Sequence, residues 1–288
     1  MSAVSQSAPL PTIGGVAISR PLALCAGFAA ALLFIGIVSL ALSLVGVELV
    51  PPKDPDAKPT ALARAAVALF DYRPNLVPPF PFTIQNATWI VFFIGLADLA
   101  WITSRAVAER RQLGRQVLPE DEDIMFDADA LEGIARRIPR DDRGYHLQQV
   151  ILRATWQFLS TGSISQSTEV MNVSLELCDR GVDQNYTLSR YIIWLIPTIG
   201  FIGTVLGISF ALSELQVGDT PEVMRNSLND ALGDIGLAFN TTLVSLLLSA
   251  ILVFLAQLAE AFEEETTKRI GQYCIDHLIN KIYDDEKE

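Results

Sequence analysis

The chain has 288 residues, half of them apolar, and carries 33 acidic against 21 basic side chains, a net charge of −12. That acidity argues against a nucleic-acid role, which needs a basic footprint. The mean hydropathy is positive, and the apolar residues sit in runs rather than evenly along the chain.

Residues 1–19 are rich in Ser, Ala and Pro and are expected to be disordered. No charge then falls between Arg20 and Glu48, a run longer than the ~20 residues that cross about 30 Å of hydrocarbon. A signal peptide is the competing reading. The run exceeds the usual apolar region of a leader, only Arg20 precedes it, and a clear small-residue cleavage site is lacking. We therefore read an uncleaved first span at about 21–46. A Pro-rich loop follows, with Pro51, Pro52, Pro55 and Pro59, then Pro74, Pro78, Pro79 and Pro81. Proline fixes φ and removes a donor, so the loop is expected to be extended. Residues 61–70 within it suit a short interfacial helix. The second span, about 82–104, has Trp89 and Trp101 near its ends, where aromatic belts sit, and contains Asp98.

Residues 105–190 form the main polar segment and read as helical. Leu147, Ile151, Ala154 and Phe158 lie on one helical face, residues 136–143 around Pro139 suit a turn, and residues 160–168 are a Ser/Thr/Gly-rich break. A further helix then runs towards the third span, about 191–213. A short polar link containing Pro221 leads to the fourth, about 231–259. Apolar residues continue beyond it at Phe262, Ile270, Tyr273, Cys274 and Ile282, so the last helix is expected to project well past the bilayer. Cys25, Cys178 and Cys274 show neither metal-ligand spacing nor a disulfide framework.

Lys and Arg set the orientation. The link between spans three and four holds only Arg225, whereas Arg180, Arg190, Lys268 and Arg269 flank the other side. The link then faces out, and residues 105–190 and both termini face the cytoplasm. The first hairpin is less decisive, with Lys53, Lys58, Arg64 and Arg73 outside against Arg105, Arg110, Arg111 and Arg115 inside. The fold expected is an all-α membrane protein with four transmembrane helices, a helical cytoplasmic segment and long, extended helices three and four. Its parts are a tail (1–19), a first hairpin (20–104), the cytoplasmic segment (105–190), a second hairpin (191–259) and a cytoplasmic C-terminal helix with an acidic tail (260–288).

The third span carries features that a helix in water would not tolerate. Each interior Gly costs about 1 kcal/mol and Pro about 3, yet Pro197, Gly200, Gly203 and Gly207 all fall in it. In lipid, small residues let helices approach closely, and the three glycines share one groove. Pro197 is expected to bend the helix by removing one backbone bond. On span four Ala238, Thr242, Ser245 and Ser249 form a polar, small-residue stripe. That stripe reads either as packing, with hydroxyls bonding back to carbonyls, or as a hydroxyl-lined ion path, and both can hold at once.

Two motifs carry a family resemblance. Residues 196–208, IPTIGFIGTVLGI, resemble the second transmembrane helix of the TolQ/ExbB proton-channel family. Residues 234–245, DIGLAFNTTLVS, resemble its third, and the match covers about residues 175–275. Thr204 falls on the family's Thr in the first motif and Thr242, rather than Thr241, on that in the second; Phe239 and Asn240 depart from the pattern. The four-span layout is that of MotA, a stator protein of the same superfamily. The resemblance implies an inner-membrane homopentamer around a central pore. It also implies two copies of a single-span MotB/TolR/ExbD-like partner that carries an intramembrane Asp. Thr204 and Thr242, with Ser245 and Ser249, would line the ion path, and the projecting C-terminal helices would bundle and set the oligomeric state.

The residues support part of this on their own. No carboxylate, His or Lys lies between Arg190 and Glu214 or between Asp234 and Glu260. A threonine hydroxyl does not titrate near neutrality, so a protonatable group must come from elsewhere. Asp98 is a second ionisable candidate, though it lies near enough to the inner boundary to reach water or an Arg. The function expected is the pore-forming subunit of an ion-driven motor or stator. The ion is H⁺ by resemblance, with Na⁺ also compatible, and no cofactor or metal is expected. The alternative is a non-conducting scaffold that anchors a partner. Nothing marks an enzyme: His146 and His277 read as isolated surface or packing residues, and no nucleophile–base pair or phosphate loop is visible.

Overall fold

The computed structural model describes residues 12–13, 16–17, 19–44, 69–70, 81–119, 125–213, 215 and 221–283. Most of the Pro-rich loop with its expected interfacial helix, the acidic run at 120–123 and the acidic tail lie outside the described residues. Within 1–19, the part expected to be disordered, Thr12–Ile13 (β1) pairs antiparallel with Val16–Ala17 (β2). The helices are α1 (Arg20–Leu44), α2 (Ile84–Leu113), α3 (Ala128–Arg137), α4 (His146–Thr161), α5 (Ile164–Asn185), α6 (Thr187–Ser213) and α7 (Pro221–His277). Four helical stretches are long and apolar enough to cross a membrane. The protein is an all-α, multi-pass membrane protein.

Pro221 opens α7 rather than sitting in the link before it. Position N1 tolerates proline because its missing N–H would have no partner there. With 57 residues, α7 is about 85 Å long, far more than a bilayer needs. The chain divides into two compact units, one of Arg20–Leu99 and Leu188–Ala256, the other of Met1–Ser19, Ala100–Thr187 and Gln257–Glu288.

The first unit holds the spans. Leu33, Ile37, Phe201, Val205, Leu243, Leu247 and Phe254 are each at least half exposed. Surfaces of that kind suit lipid or neighbouring subunits, not water. Gly27 brings α1 against α2, since a Cβ there would stand 2.7 Å from the Phe93 carbonyl oxygen and from Ala97. Gly95 brings α2 against α6 and α7, where a Cβ would stand 2.8 Å from Ile192 and 2.7 Å from Leu252. Phe34, Phe70, Trp89 and Phe93 cluster with ring centroids 5.1–5.9 Å apart around Phe34. Trp89 also donates to the Leu69 carbonyl at 3.0 Å, so its indole is partnered by protein.

The second unit is a helical core. Asp127 caps α3, accepting from the Ala130 N–H at 2.8 Å, and Leu131 and Ile134 point inward. Leu147, Ile151, Ala154 and Phe158 of α4 are all buried, as their spacing requires. Helix α4 stops at Gly162, whose φ of +66° is the left-handed conformation glycine adopts at little cost. Ser163 then caps α5, and the Ser167 hydroxyl donates to the Ala154 carbonyl at 2.8 Å to lock the α4–α5 hairpin.

The end of α7 packs into this core. Ile270, Cys274, Leu278 and Ile282 are buried in the same cluster as Leu118, Phe126, Leu147 and Ile151. A parallel bridge ties Phe126 to Ile282, and the Leu118 N–H donates to the Tyr273 hydroxyl at 3.1 Å. Several of the apolar residues past the fourth span are therefore used within the chain.

One buried polar cluster stands out in this unit, on the continuation of α2 and α7 beyond the apolar spans. Glu109 is 4 % exposed, and its Oε2 accepts the His146 N–H at 2.9 Å. That carboxylate caps α4, whose first N–H groups have no partner in the helix. Burial pushes Glu109 up from 4.5 to about 7 and His146 down from 6.5 to about 4. His146, read as isolated from the sequence, is thus neutral at pH 7 beside Glu109.

The two shifts act on stability in opposite windows. Glu109 contributes stability present below about pH 4.5 and lost as pH rises through about 7. His146 contributes stability present above about 6.5 and lost as pH falls through about 4. Glu109→Gln keeps an oxygen to cap α4 but removes the loss between about pH 4.5 and about 7, up to about 3 kcal/mol. Thermal unfolding of the full chain in detergent is expected to show the variant gaining on the wild type as pH rises from about 4.5 to about 7 and keeping that gain above it. An unchanged difference from mildly acid to alkaline pH would contradict this origin of the pH dependence.

Candidate functional site

Helices α6 and α7 meet along the glycine groove. A Cβ on Gly200 would fall inside the Ser245 side chain. One on Gly203 would stand 2.7 Å from the Thr241 methyl, and one on Gly207 would stand 2.5 Å from the Ala238 Cβ. Each glycine therefore faces a small residue one step along α7. No larger residue fits at these three positions without separating the helices.

This close approach sets the hydroxyls. Thr204 and Thr242 hydrogen-bond each other through their Oγ1 atoms. Thr204 Oγ1 also lies 3.1 Å from the Ala238 carbonyl oxygen and 3.2 Å from that of Gly200. Thr242 Oγ1 lies 3.0 Å from the same Gly200 oxygen. A hydroxyl has one proton to donate. Two protons thus face two carbonyl oxygens and two hydroxyl oxygens, and the donor pattern has more than one solution. Both threonines are half-buried. Thr241 is buried and presents its methyl to Gly203, so of the adjacent threonines Thr242 is the one joined to Thr204.

The serines of the stripe are placed differently. Ser245 is fully buried, and its hydroxyl donates to the Thr242 carbonyl at 2.9 Å. Ser249 donates to the Ile193 carbonyl at 3.1 Å. That carbonyl is the one Pro197 leaves without a helical donor, because proline at i has no N–H for i−4. The serine on α7 thus satisfies the bond the proline on α6 removes, as lipid-embedded backbone demands. Both serines have the geometry of packing hydroxyls, as does Thr198, which donates to the Trp194 carbonyl at 2.9 Å.

Asp98 is fully buried, and both its oxygens are engaged. Arg20 grips it in bidentate fashion, Nε to Oδ1 at 2.7 Å and Nη2 to Oδ2 at 3.0 Å. The Ser189 hydroxyl donates to Oδ2 at 2.7 Å. The carboxylate therefore ties together the starts of α1 and α6 and the middle of α2. Sequence reading placed an arginine among its options but missed Arg20. The signal was available: Arg20 opens the first span, Asp98 nears the close of the second, and antiparallel spans bring those ends to one side. Gly27 and Gly95, unread as contacts, had the same kind of signal as glycines within apolar spans. Among the described residues no group of His, Cys, Asp and Glu is arranged to hold a metal.

The Pro197–Ser249 relation is testable by a double-mutant cycle. Ser249→Ala strands a carbonyl in lipid and is expected to cost about 1 kcal/mol. Pro197→Ala restores the missing N–H, so in that background the same change is expected to cost little. Steric-trapping or denaturant unfolding in micelles measures both; equal costs in the two backgrounds would refute the coupling.

Searches of curated proteins and of solved structures return no match. The profile of the MotA/TolQ/ExbB proton channel family matches residues 146–272, which contain α4, α5, α6 and most of α7. The paired threonines, the glycine groove and the hydroxyl stripe all lie inside the region that is similar to the MotA/TolQ/ExbB proton channel family.

Proposed function

We propose that the chain is the pore-forming subunit of a proton-driven stator or motor in a bacterial inner membrane, with both termini in the cytoplasm. Five copies surround a pore that holds two copies of a single-span partner. The partner carries the intramembrane carboxylate. The observation that supports this reading most is the Thr204–Thr242 pair, joined across two spans whose charge-free stretches hold no carboxylate, His or Lys.

The chemistry follows from the donor count. An ionised carboxylate only accepts hydrogen bonds; a protonated one also donates. A Thr204 or Thr242 hydroxyl turned towards an ionised Asp donates to it. When that Asp is protonated, the hydroxyl turns back to the carbonyl of Gly200 or Ala238 and presents its lone pairs. The pair thus meets both protonation states of the partner at little cost. A carboxylate that binds the wall differently in its two states is what couples proton transfer to movement. Ser245 and Ser249 support the wall by holding α6 on α7, and Asp98 with Arg20 holds α1 and α2 in place.

Vesicles containing the assembled complex test the reading. An imposed gradient is expected to drive proton uptake that falls to the level of protein-free vesicles in Thr242→Val, with assembly intact on size exclusion. Unchanged flux in that variant would sink the channel role of the pair. An assembled wild-type complex that carries neither H⁺ nor Na⁺ would favour the non-conducting scaffold instead.

A further inference from the structure

We propose that Glu109, together with Glu263, forms a proton-binding site on the continuations of α2 and α7 that takes up and releases protons conducted by the complex. This rests on the proton-conducting reading above. The two carboxylates sit on the continuations of the two long helices. Glu109 is about 7 Å along α2 from Ser104, and Glu263 about 6 Å along α7 from Ala259. Both are buried, at 4 % and 6 % exposure. A buried carboxylate is uncommon unless it is paired, and these two have one cation, Arg105, acting on both.

Every neighbouring element contributes to the site. From α4, the His146 N–H binds Glu109 Oε2, while the ring Nδ1 stands 4.0 Å from Oε1. Burial keeps that ring neutral at pH 7, so it adds no cation. From α5 and the turn after it, Asn185 donates to Glu263 at 3.3 Å, and Tyr186 also faces Glu263. The Cys178 thiol of α5 lies within the field of Glu109. Glu260 of α7 adds like charge to Glu263. Glu109 Oε1 is buried and accepts no hydrogen bond. Capping α4 needs only Oε2, so a purely structural role leaves Oε1 unexplained.

The charges define what the site holds. Glu109 and Glu263 repel each other, and one guanidinium offsets only one carboxylate. A single bound proton brings the three groups to neutrality. Hydronium gives that proton to Oε1 and leaves as water; release returns it to another water, and the carboxylate re-forms beside Arg105. The site then cycles near neutral pH, where an ordinary glutamate would stay ionised.

Two measurements on the full chain test this. Infrared titration of the purified protein is expected to show a protonated carboxyl that ionises at about pH 7 and is missing in Glu109→Gln. No such carboxyl, or one that persists in both Glu109→Gln and Glu263→Gln, would overturn the site. In vesicles holding the assembled complex, each variant is expected to slow proton flux about tenfold and flatten its pH profile, with Glu109→Asp restoring part of both. Flux and pH profile equal to wild type in both Gln variants would overturn the relay and leave the channel reading standing. A wild-type complex without proton flux would remove the channel reading and the relay with it.

Discussion

The close approach of α6 and α7 at Gly200, Gly203 and Gly207 is the constraint on which the membrane hairpin depends. In lipid, apolar side chains gain little by touching one another, because the acyl chains are as apolar as they are. Association must then come from short-range packing and from polar groups that have nowhere else to bond. Glycine supplies the first by removing the side chain, and the facing Ala238, Thr241 and Ser245 fill the space it leaves. The second follows from the first. Only at this separation do the Thr204 and Thr242 hydroxyls reach each other and the carbonyls of the neighbouring helix. The residues that look like helix breakers and those that look like an ion path are two consequences of one interface.

The same constraint sorts the hydroxyls. A Ser or Thr in a membrane helix can always bond the carbonyl one turn back, so its presence carries little information. Thr198 does only this. Ser249 does something more demanding, supplying the donor that Pro197 withholds from Ile193. The proline therefore bends α6 without stranding a carbonyl in hydrocarbon. Thr204 and Thr242 differ from both, because their protons have several acceptors of comparable geometry and neither is committed to one. An ion path needs polar groups that can change partners, and packing needs polar groups that cannot. The stripe on α7 contains both kinds in adjacent turns.

How much of this was legible in the sequence follows from the range of each interaction. The spans were legible because hydropathy is a local sum, and the inward face of α4 because Leu147, Ile151, Ala154 and Phe158 repeat with the helical period. The glycine groove was legible because its three members share one helix. What failed to show was pairing at a distance. Arg20 and Asp98 are 78 residues apart, and neither residue marks the other. Ile270, Cys274 and Ile282 were legible only as a continuing apolar pattern, because their partners, such as Leu118 and Phe126, lie more than a hundred residues upstream. Glu109 sits among charged residues after the second span, where nothing local sets it apart from a solvated flank. Its burial is a property of four elements converging, which no window of the sequence contains.

The buried charges of the two units illustrate opposite uses of the same chemistry. Asp98 has both oxygens engaged, by a bidentate guanidinium and a hydroxyl. Removing either partner would leave the other charge without its charge-assisted bonds. An ionisable residue inside a span is a functional candidate by default, but the contacts of this one are those of a tie between helices. Glu109 keeps one oxygen bonded and one bare, with a second carboxylate nearby and one cation serving both. Its two protonation states are close in free energy because neither satisfies the surroundings completely. One buried carboxylate has every oxygen committed to a partner and the other keeps an oxygen open, and the difference lies in how many donors the converging helices bring to each.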